Sequence, residues 1–440
     1  MEWIKLLSNQ RKGKKAIELT KSRSAFEQDF DRIIFSYPFR RLQDKTQVHP
    51  LPEHDFVHTR LTHSLEVSSV GRSLGKLAGE TIITRNQGLS AKYSSHDFGA
   101  IVAAAALTHD IGNPPFGHSG EDAISEFFTH GNGLQYKDQV NPDEWQDLTH
   151  FEGNAQGFRI LNNDRYQGLR LTYATLASFT KYPRQSKIEA RDTARKSQKK
   201  FGFFQSEKSF FEELARDTGL KKISPSTWSR HPLAFLVEAA DDICYNLIDL
   251  EDGCRLGLVS YEKTVELFAQ ILEEQFHQDK LNKIDSTDER IGTLRALAVG
   301  KLIGECNQVF LDNEKDLLEG KFDKALTSVI PSADVLNQVV DISIEKIYRS
   351  RLVMETEAAG FEVLPGLLDL FTSAVMAKKN HKKPVSILRL LPHEIQLEVK
   401  DEKSTTYDKL MSCIDFVSGL TDTHAISLYR KLKGISHPNI

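Results

Sequence analysis

Along most of this chain apolar residues recur every three or four positions, the spacing that gathers them on one face of an α-helix. Alternating patterns that would mark strands are scarce. The run from Asp97 to Leu107 (DFGAIVAAAAL) is apolar almost throughout and rich in strong helix formers, so it predicts a buried helix. Ser94, Ser95 and Asp97 are its candidate N-caps. Gly112 and the pair Pro114-Pro115 then break the pattern, which leaves His109 and Asp110 at a helix end followed by a fixed loop. A second helix is predicted to start near Ser119-Gly-Glu121. A third begins around Pro232 and runs through Asp249, and the four-residue spacing of Asp241, Tyr245 and Asp249 places all three along one face. From roughly Val265 onward the pattern stays helical, apart from a short hairpin signal between Ser386 and Val399. The expected class is mainly α.

Three compositional shifts refine that picture. The first 25 residues are polar and basic and predict an arm or a short helix. Residues 184–200 (RQSKIEARDTARKSQKK) are again polar and basic and predict a mobile loop or an exposed helix. No repeat or low-complexity segment interrupts the rest. At 440 residues the chain has room for one large domain with an elaboration. We therefore expect an arm over 1–25, a main domain over 26–260, and a helical C-terminal region over 261–440 packed on its core.

Hydrophobic residues at 40% and charged residues at 27% are those of a globular protein, and a net charge of -4 gives no overall pull toward nucleic acid or membrane. The four cysteines (Cys244, Cys254, Cys306, Cys413) lack CxxC spacing and read as reduced thiols. The apolar run at the start of the chain is too short for a signal peptide. No stretch approaches the roughly 18 apolar residues of a membrane span. A cytoplasmic location without membrane contact is expected.

The candidate chemistry begins with His109-Asp110, inside Leu107–His118 (LTHDIGNPPFGH). Imidazole nitrogen beside carboxylate oxygen suits a first-row divalent ion, and adjacency lets one backbone position deliver two ligands. Two ligands do not complete a site. His63 and Asp241 are the candidates for the remainder, although each histidine taken alone also fits a hydrogen-bonded core residue.

The order His63, His109-Asp110, Asp241 resembles that of the HD-domain metal phosphohydrolases. Five longer motifs narrow the likeness: Phe39–Val48 (FRRLQDKTQV), Phe56–Val67 (FVHTRLTHSLEV), Asn113–His118 (NPPFGH), Phe151–Gln156 (FEGNAQ) and Asp241–Gly253 (DDICYNLIDLEDG). Together they resemble the deoxyguanosine triphosphate triphosphohydrolases, a branch of that superfamily, from about Arg23 to Leu432. The resemblance implies an HD-domain helical fold with a helical C-terminal elaboration. It implies hydrolysis of a deoxynucleoside triphosphate at the α-phosphate, giving deoxynucleoside and triphosphate.

By the same resemblance, one divalent ion (Mg, Mn, Fe, Co or Ni) is held by His63, His109, Asp110 and Asp241. His118 is the candidate for proton transfer, with Glu121 orienting its ring. Arg60, Lys181 and Tyr182 match positions that contact phosphates. Tyr245 and Asp249 fall on the deoxyribose side and Gln47 and Val48 near the base. A tyrosine ring packed against C2′ leaves no room for a ribose hydroxyl, and Asp249 can accept a hydrogen bond from the 3′-hydroxyl. No P-loop is present, since Gly71–Leu77 (GRSLGKL) has the wrong spacing, so a nucleotide is held by another route. A homo-oligomer, tetramer or hexamer, is implied as well. Two alternatives stay open: an HD phosphohydrolase for another nucleotide, such as a nucleoside monophosphate, and a non-catalytic regulatory protein binding single-stranded nucleic acid, for which the basic run at 184–200 is the best support.

Overall fold

The computed structural model describes residues 1–13, 23–47, 58–162, 169–349, 351–377 and 382–435. Among them the fold is mainly α, and one small antiparallel hairpin, Lys222–Ser224 with Thr227–Trp228, is the only sheet. The helices that frame the molecule are α1 (Ala25–Ile34), α2 (Arg60–Arg85), α3 (Ser95–Leu107), α4 (Gly117–Thr129), α5 (Gly153–Asn162) and α6 (Tyr173–Phe179). They continue with α7 (Pro232–Arg255), α8 (Tyr261–Leu272), α9 (Thr287–Asp312), α10 (Ala333–Ile342), α11 (Arg351–Met376), α12 (Thr406–Ser418) and α13 (Asp422–Leu432).

Helix α3 is the hub, as its uniformly apolar sequence requires. Ser94 caps it, and the Ser94 backbone N–H donates to Asp97 Oδ2 at 2.8 Å in a reciprocal capping box. Helix α2 lies against α3 at unusually close range because Gly71, Gly75 and Gly79 form a flat stripe one turn apart. A Cβ at Gly75 would sit 2.7 Å from the Phe98 carbonyl oxygen. Helix α7 starts with Pro232 behind His231, whose side chain accepts from the Leu233 backbone N–H at 3.1 Å, and it packs across both α2 and α3. The three helices that carry His63, His109-Asp110 and Asp241 are thereby locked together.

Two apolar cores result among the described residues. The first joins α2, α3 and α7 to α8, α9 and α10. The second is built from α4 and the helices near the C-terminus, with Phe116, Ile124 and Phe127 packed among Leu364, Leu367, Phe371, Leu410 and Ile414. The cores cross the division expected at residue 260, since residues 261–339 contribute to the first and 116–155 to the second.

One sequence expectation is refined here and two change. The N-terminus takes the second of its two expected forms, a short helix at Trp3–Leu6, and it is packed down: Trp3, Leu6, Leu7 and Arg11 are buried, and Trp3 Nε1 donates to Glu314 Oε1 at 2.8 Å. The hairpin expected at 386–399 is instead helical, over Lys382–Leu388 and His393–Lys400. Leu391, Ile395 and Val399 recur at four-residue intervals and are buried in the second core, so the helical period outweighs the local strand signal. Finally, Val353–Met376 on α11 is long and apolar enough to cross a membrane by length and composition, with a mean hydropathy of 1.3. No such run was expected; Leu364, Leu367, Leu368 and Phe371 on it are buried in the second core, while Met354 and Phe361 stay exposed.

Candidate active site

Each helix delivers its side chain to one point. His63 sits one turn into α2, and His109 and Asp110 follow the last turn of α3. His63, His109 and Asp110 each place a ligand atom within 4.8 Å of the others. Asp241 Oδ1, from the middle of α7, lies 3.3 Å from His63 Nε2 and 3.5 Å from His109 Nε2. The His109 ring is fixed by a 2.7 Å contact between Nδ1 and the Ala106 carbonyl, which must receive the ring proton. In the neutral ring this leaves Nε2 as a lone pair, buried with no hydrogen-bond partner among the described residues and facing carboxylate oxygens. An imidazole lone pair set among carboxylates fits a divalent cation.

The electrostatics favour ligation. Burial pushes the Asp110 carboxyl up, but the Arg60 guanidinium at 2.6 Å outweighs it and holds the group below the usual carboxylate range. Burial acts likewise on Asp241, and the Lys181 ammonium at 3.1 Å overcomes it. Both acids are ionised. Asn113 Nδ2 donates to the second oxygen of Asp110 at 2.7 Å and fixes its rotation.

A histidine–glutamate pair stands at the start of α4. His118 is 82% exposed, and its Nδ1 lies 2.8 Å from Glu121 Oε2. Glu121 is buried, and its other oxygen accepts the Gly153 backbone N–H at 2.7 Å. Burial raises the Glu121 carboxyl, yet the hydrogen bond with His118 and the charge of Lys200 prevail and lower it. The FEGNAQ segment reaches this place because Gly112 lets it approach: a Cβ there would meet Gly153 O at 2.1 Å.

Beside these groups opens a cavity of about 440 Å³. Arg60, Lys181, Tyr182, Lys199 and Lys200 line it together with His109, Asp110, His118 and Asp241, while Gln47 and Tyr245 form further wall.

The comparisons with known proteins agree with this geometry. The HD domain family matches residues 60–138, and the phosphohydrolase-associated domain matches 333–431. The chain is 44% identical, over 99% of its length and 100% of the relative's, to a deoxyguanosinetriphosphate triphosphohydrolase-like protein of Synechocystis sp.. It is 38% identical to the protein of that name from Pseudomonas aeruginosa, with 100% of both chains covered. It is 31% identical to the deoxyguanosinetriphosphate triphosphohydrolase of Yersinia pestis, over 92% of this chain and 93% of the relative. The chain belongs to the deoxyguanosinetriphosphate triphosphohydrolase-like family.

In this family member the structure brings His63, His109, Asp110 and Asp241 into one cluster, with Arg60, Lys181, Tyr182, His118, Tyr245 and Gln47 around a single cavity. Val48 lies outside the described residues. Asp249 is not on the cavity wall; it is buried one turn beyond Tyr245, where burial raises its carboxyl to about 7. Its partner is Tyr348, whose hydroxyl donates to Asp249 Oδ2 and whose ring stacks on Tyr245 with centroids 5.9 Å apart.

Sequence reasoning missed Tyr348, which follows a π-helical turn at Ser343–Ile347 about a hundred residues from the nearest motif. It also left Lys196, Lys199 and Lys200 unassigned. Their signal was the basic run itself, which is irregular except for a 3₁₀ turn at Lys196–Gln198 and presents these three lysines to the cavity.

Proposed function

We propose that this protein hydrolyses deoxynucleoside triphosphates, deoxyguanosine triphosphate or several of them, at the α-phosphate, releasing deoxynucleoside and intact triphosphate; the names of its relatives specify a triphosphohydrolase of deoxyguanosine triphosphate. The observation that carries the reading is the opening of the His–Asp cluster into a cavity rimmed by Arg60, Lys181, Lys199 and Lys200. A triphosphate carries roughly four negative charges, and such a rim offsets them where water is partly excluded. His63, His109, Asp110 and Asp241 would hold one divalent ion (Mg, Mn, Fe, Co or Ni), which neutralises a phosphoryl oxygen and makes bound water more acidic.

The chain's own residues supply the rest. His118, oriented by ionised Glu121, gives its proton to the 5′-oxygen as the bond from that oxygen to the α-phosphorus breaks. Tyr245, stiffened by the stacked Tyr348 ring, closes the sugar side against a 2′-hydroxyl, and Asp249 with the Tyr348 hydroxyl supports the 3′ side. Gln47 Oε1 is buried with no hydrogen-bond partner among the described residues, an acceptor free for the N–H edge of a base. The family resemblance assigns Val48 to the base side as well. The reading includes a cytoplasmic homo-oligomer, tetrameric or hexameric.

The test is incubation with each of the four deoxynucleoside triphosphates and Mg or Mn, with products resolved by anion exchange. Triphosphate and deoxynucleoside in equal amounts are expected. Release of monophosphate with pyrophosphate, or turnover of nucleoside monophosphates alone, would refute the reading in favour of another HD phosphohydrolase. Turnover of no nucleotide, with salt-sensitive binding of single-stranded nucleic acid, would favour the regulatory alternative.

A further inference from the structure

We propose that Asp323 is a positioning residue that pins the lysine-bearing strap, residues 195–200, against the phosphate end of the substrate cavity. The proposal rests on the function argued above. Residues 195–200 belong to no long helix or strand, so their position over the cavity is set by individual contacts. Asp323, far along the chain in the loop after Glu314–Glu319, makes four of them, more than any other residue.

Asp323 is 7% exposed and buried among cations. Its Oδ2 accepts from the Ser197 hydroxyl at 2.6 Å and lies 3.0 Å from Arg195 Nε. Its Oδ1 accepts the Ser197 backbone N–H at 3.3 Å and lies 3.3 Å from Arg230 Nε. Its backbone carbonyl accepts the Lys196 N–H, also at 3.3 Å. Strap and α7 are joined through the same group of charges, since Arg230 Nη1 donates to Glu238 Oε2 at 2.7 Å and Lys196 Nζ lies 3.2 Å from Glu238 Oε1.

The lysines downstream of this anchor divide by partner. Lys196 is engaged by Glu238, and Lys200 lies 3.1 Å from Glu152 and 3.4 Å from Glu121. Lys199 is exposed on the cavity wall and enters no ion pair among the described residues. Its ammonium can therefore meet a phosphate without first releasing a carboxylate. For that to help binding, the strap must already be in place, because ordering it at the moment of binding would cost affinity. Removing Asp323 leaves Arg195 and Arg230 without that counter-ion and strips Ser197 of both its bonds, so residues 195–197 lose their main anchor, while Arg195 to the Gly320 carbonyl and Gln198 to Arg184 and Asp192 remain.

The experiment measures inhibition by two product fragments in the full-length protein. Inorganic triphosphate probes the strap end and the deoxynucleoside probes the sugar and base end. In Asp323→Ala the Ki of triphosphate and the KM for the deoxynucleoside triphosphate should each rise about tenfold, the loss expected for hydrogen bonds to a charged group. The Ki of the deoxynucleoside should stay unchanged. Asp323→Asn, which keeps an acceptor for Ser197 but not the charge, should fall between the two. Unchanged triphosphate inhibition in both variants, or equal weakening of both fragments in Asp323→Asn, overturns the proposal. Should Asp323→Ala not fold, Asp323→Asn and Ser197→Ala decide it by the same readout. Limited trypsin digestion is independent of activity: cleavage after Lys199 or Lys200 should accelerate in the variants, and equal rates count against the pin. A wild-type protein inert toward every deoxynucleoside triphosphate removes the functional reading instead, and the digestion still tests the anchor.

Discussion

Replacing Asp249 by Asn should change how the stability of this protein depends on pH. Asp249 is buried on α7, and burial raises its carboxyl from an ordinary 3.8 to about 7; Asp252 and Asp241 add to this, while Tyr348 and His58 oppose it. A carboxyl whose folded value is raised binds its proton more tightly in the native state than in the unfolded chain. Its contribution to stability is fully present below the unfolded value near 4 and is lost as pH rises toward and through about 7. The loss corresponds to at most about 4 kcal/mol, since each pH unit between the two values is worth about 1.4 kcal/mol. Asn carries no charge and escapes it. Any constant cost of the amide, such as a poorer bond to Tyr348, shifts the whole curve and leaves its slope alone. Asp147, also raised to about 7 by burial, titrates in both proteins and cancels from the difference. Urea unfolding of both proteins between pH 4.5 and 8.5, without substrate, should therefore show Asp249→Asn gaining on wild type as pH rises. A difference that stays flat across that range would refute the reasoning, and so would one with the opposite slope.

Other outcomes follow from the same geometry. Asp241→Ala should abolish metal-dependent turnover and weaken Mn binding measured by calorimetry, because it removes the oxygen that faces both imidazoles; activity equal to wild type would overturn the ligand set. His118→Ala should lower kcat about 10²- to 10⁴-fold with little change in KM, the usual contribution of a general acid. Glu121→Gln, which acts only through the His118 ring, should cost less, and a larger loss than in His118→Ala would argue that Glu121 has a role of its own. Gly75→Ala should destabilise the fold by about 1–3 kcal/mol in denaturant unfolding, because overpacking against the Phe98 carbonyl exceeds the helix propensity gained.

What the sequence showed and what it hid divide along a physical line. The helices of the site were legible because each carries its own instruction: the apolar run and Ser94 cap of α3, the stop at Gly112 and Pro114, Pro232 at the head of α7. Their convergence was legible only through motif order, because the contact of His63 with Asp241 spans 178 positions and nothing local encodes it. Charge patterning located the basic strap but could not assign its lysines. Which of them stay available to a phosphate depends on Glu238, Glu121 and Glu152, each fixed by a different helix or loop. Tyr348 was hidden for a related reason. A π-helical turn shifts the register of the helical face just before it, so periodicity read across 333–348 does not place it on Tyr245. Apart from the strap lysines, the residues that escaped notice complete a neighbour rather than supply the chemistry. Tyr348 backs Tyr245 and Asp249, and Asp323 backs Ser197 and Arg195. Such partners need only reach their target, from whatever part of the chain the fold brings near, and that freedom leaves no fixed spacing for a sequence to display.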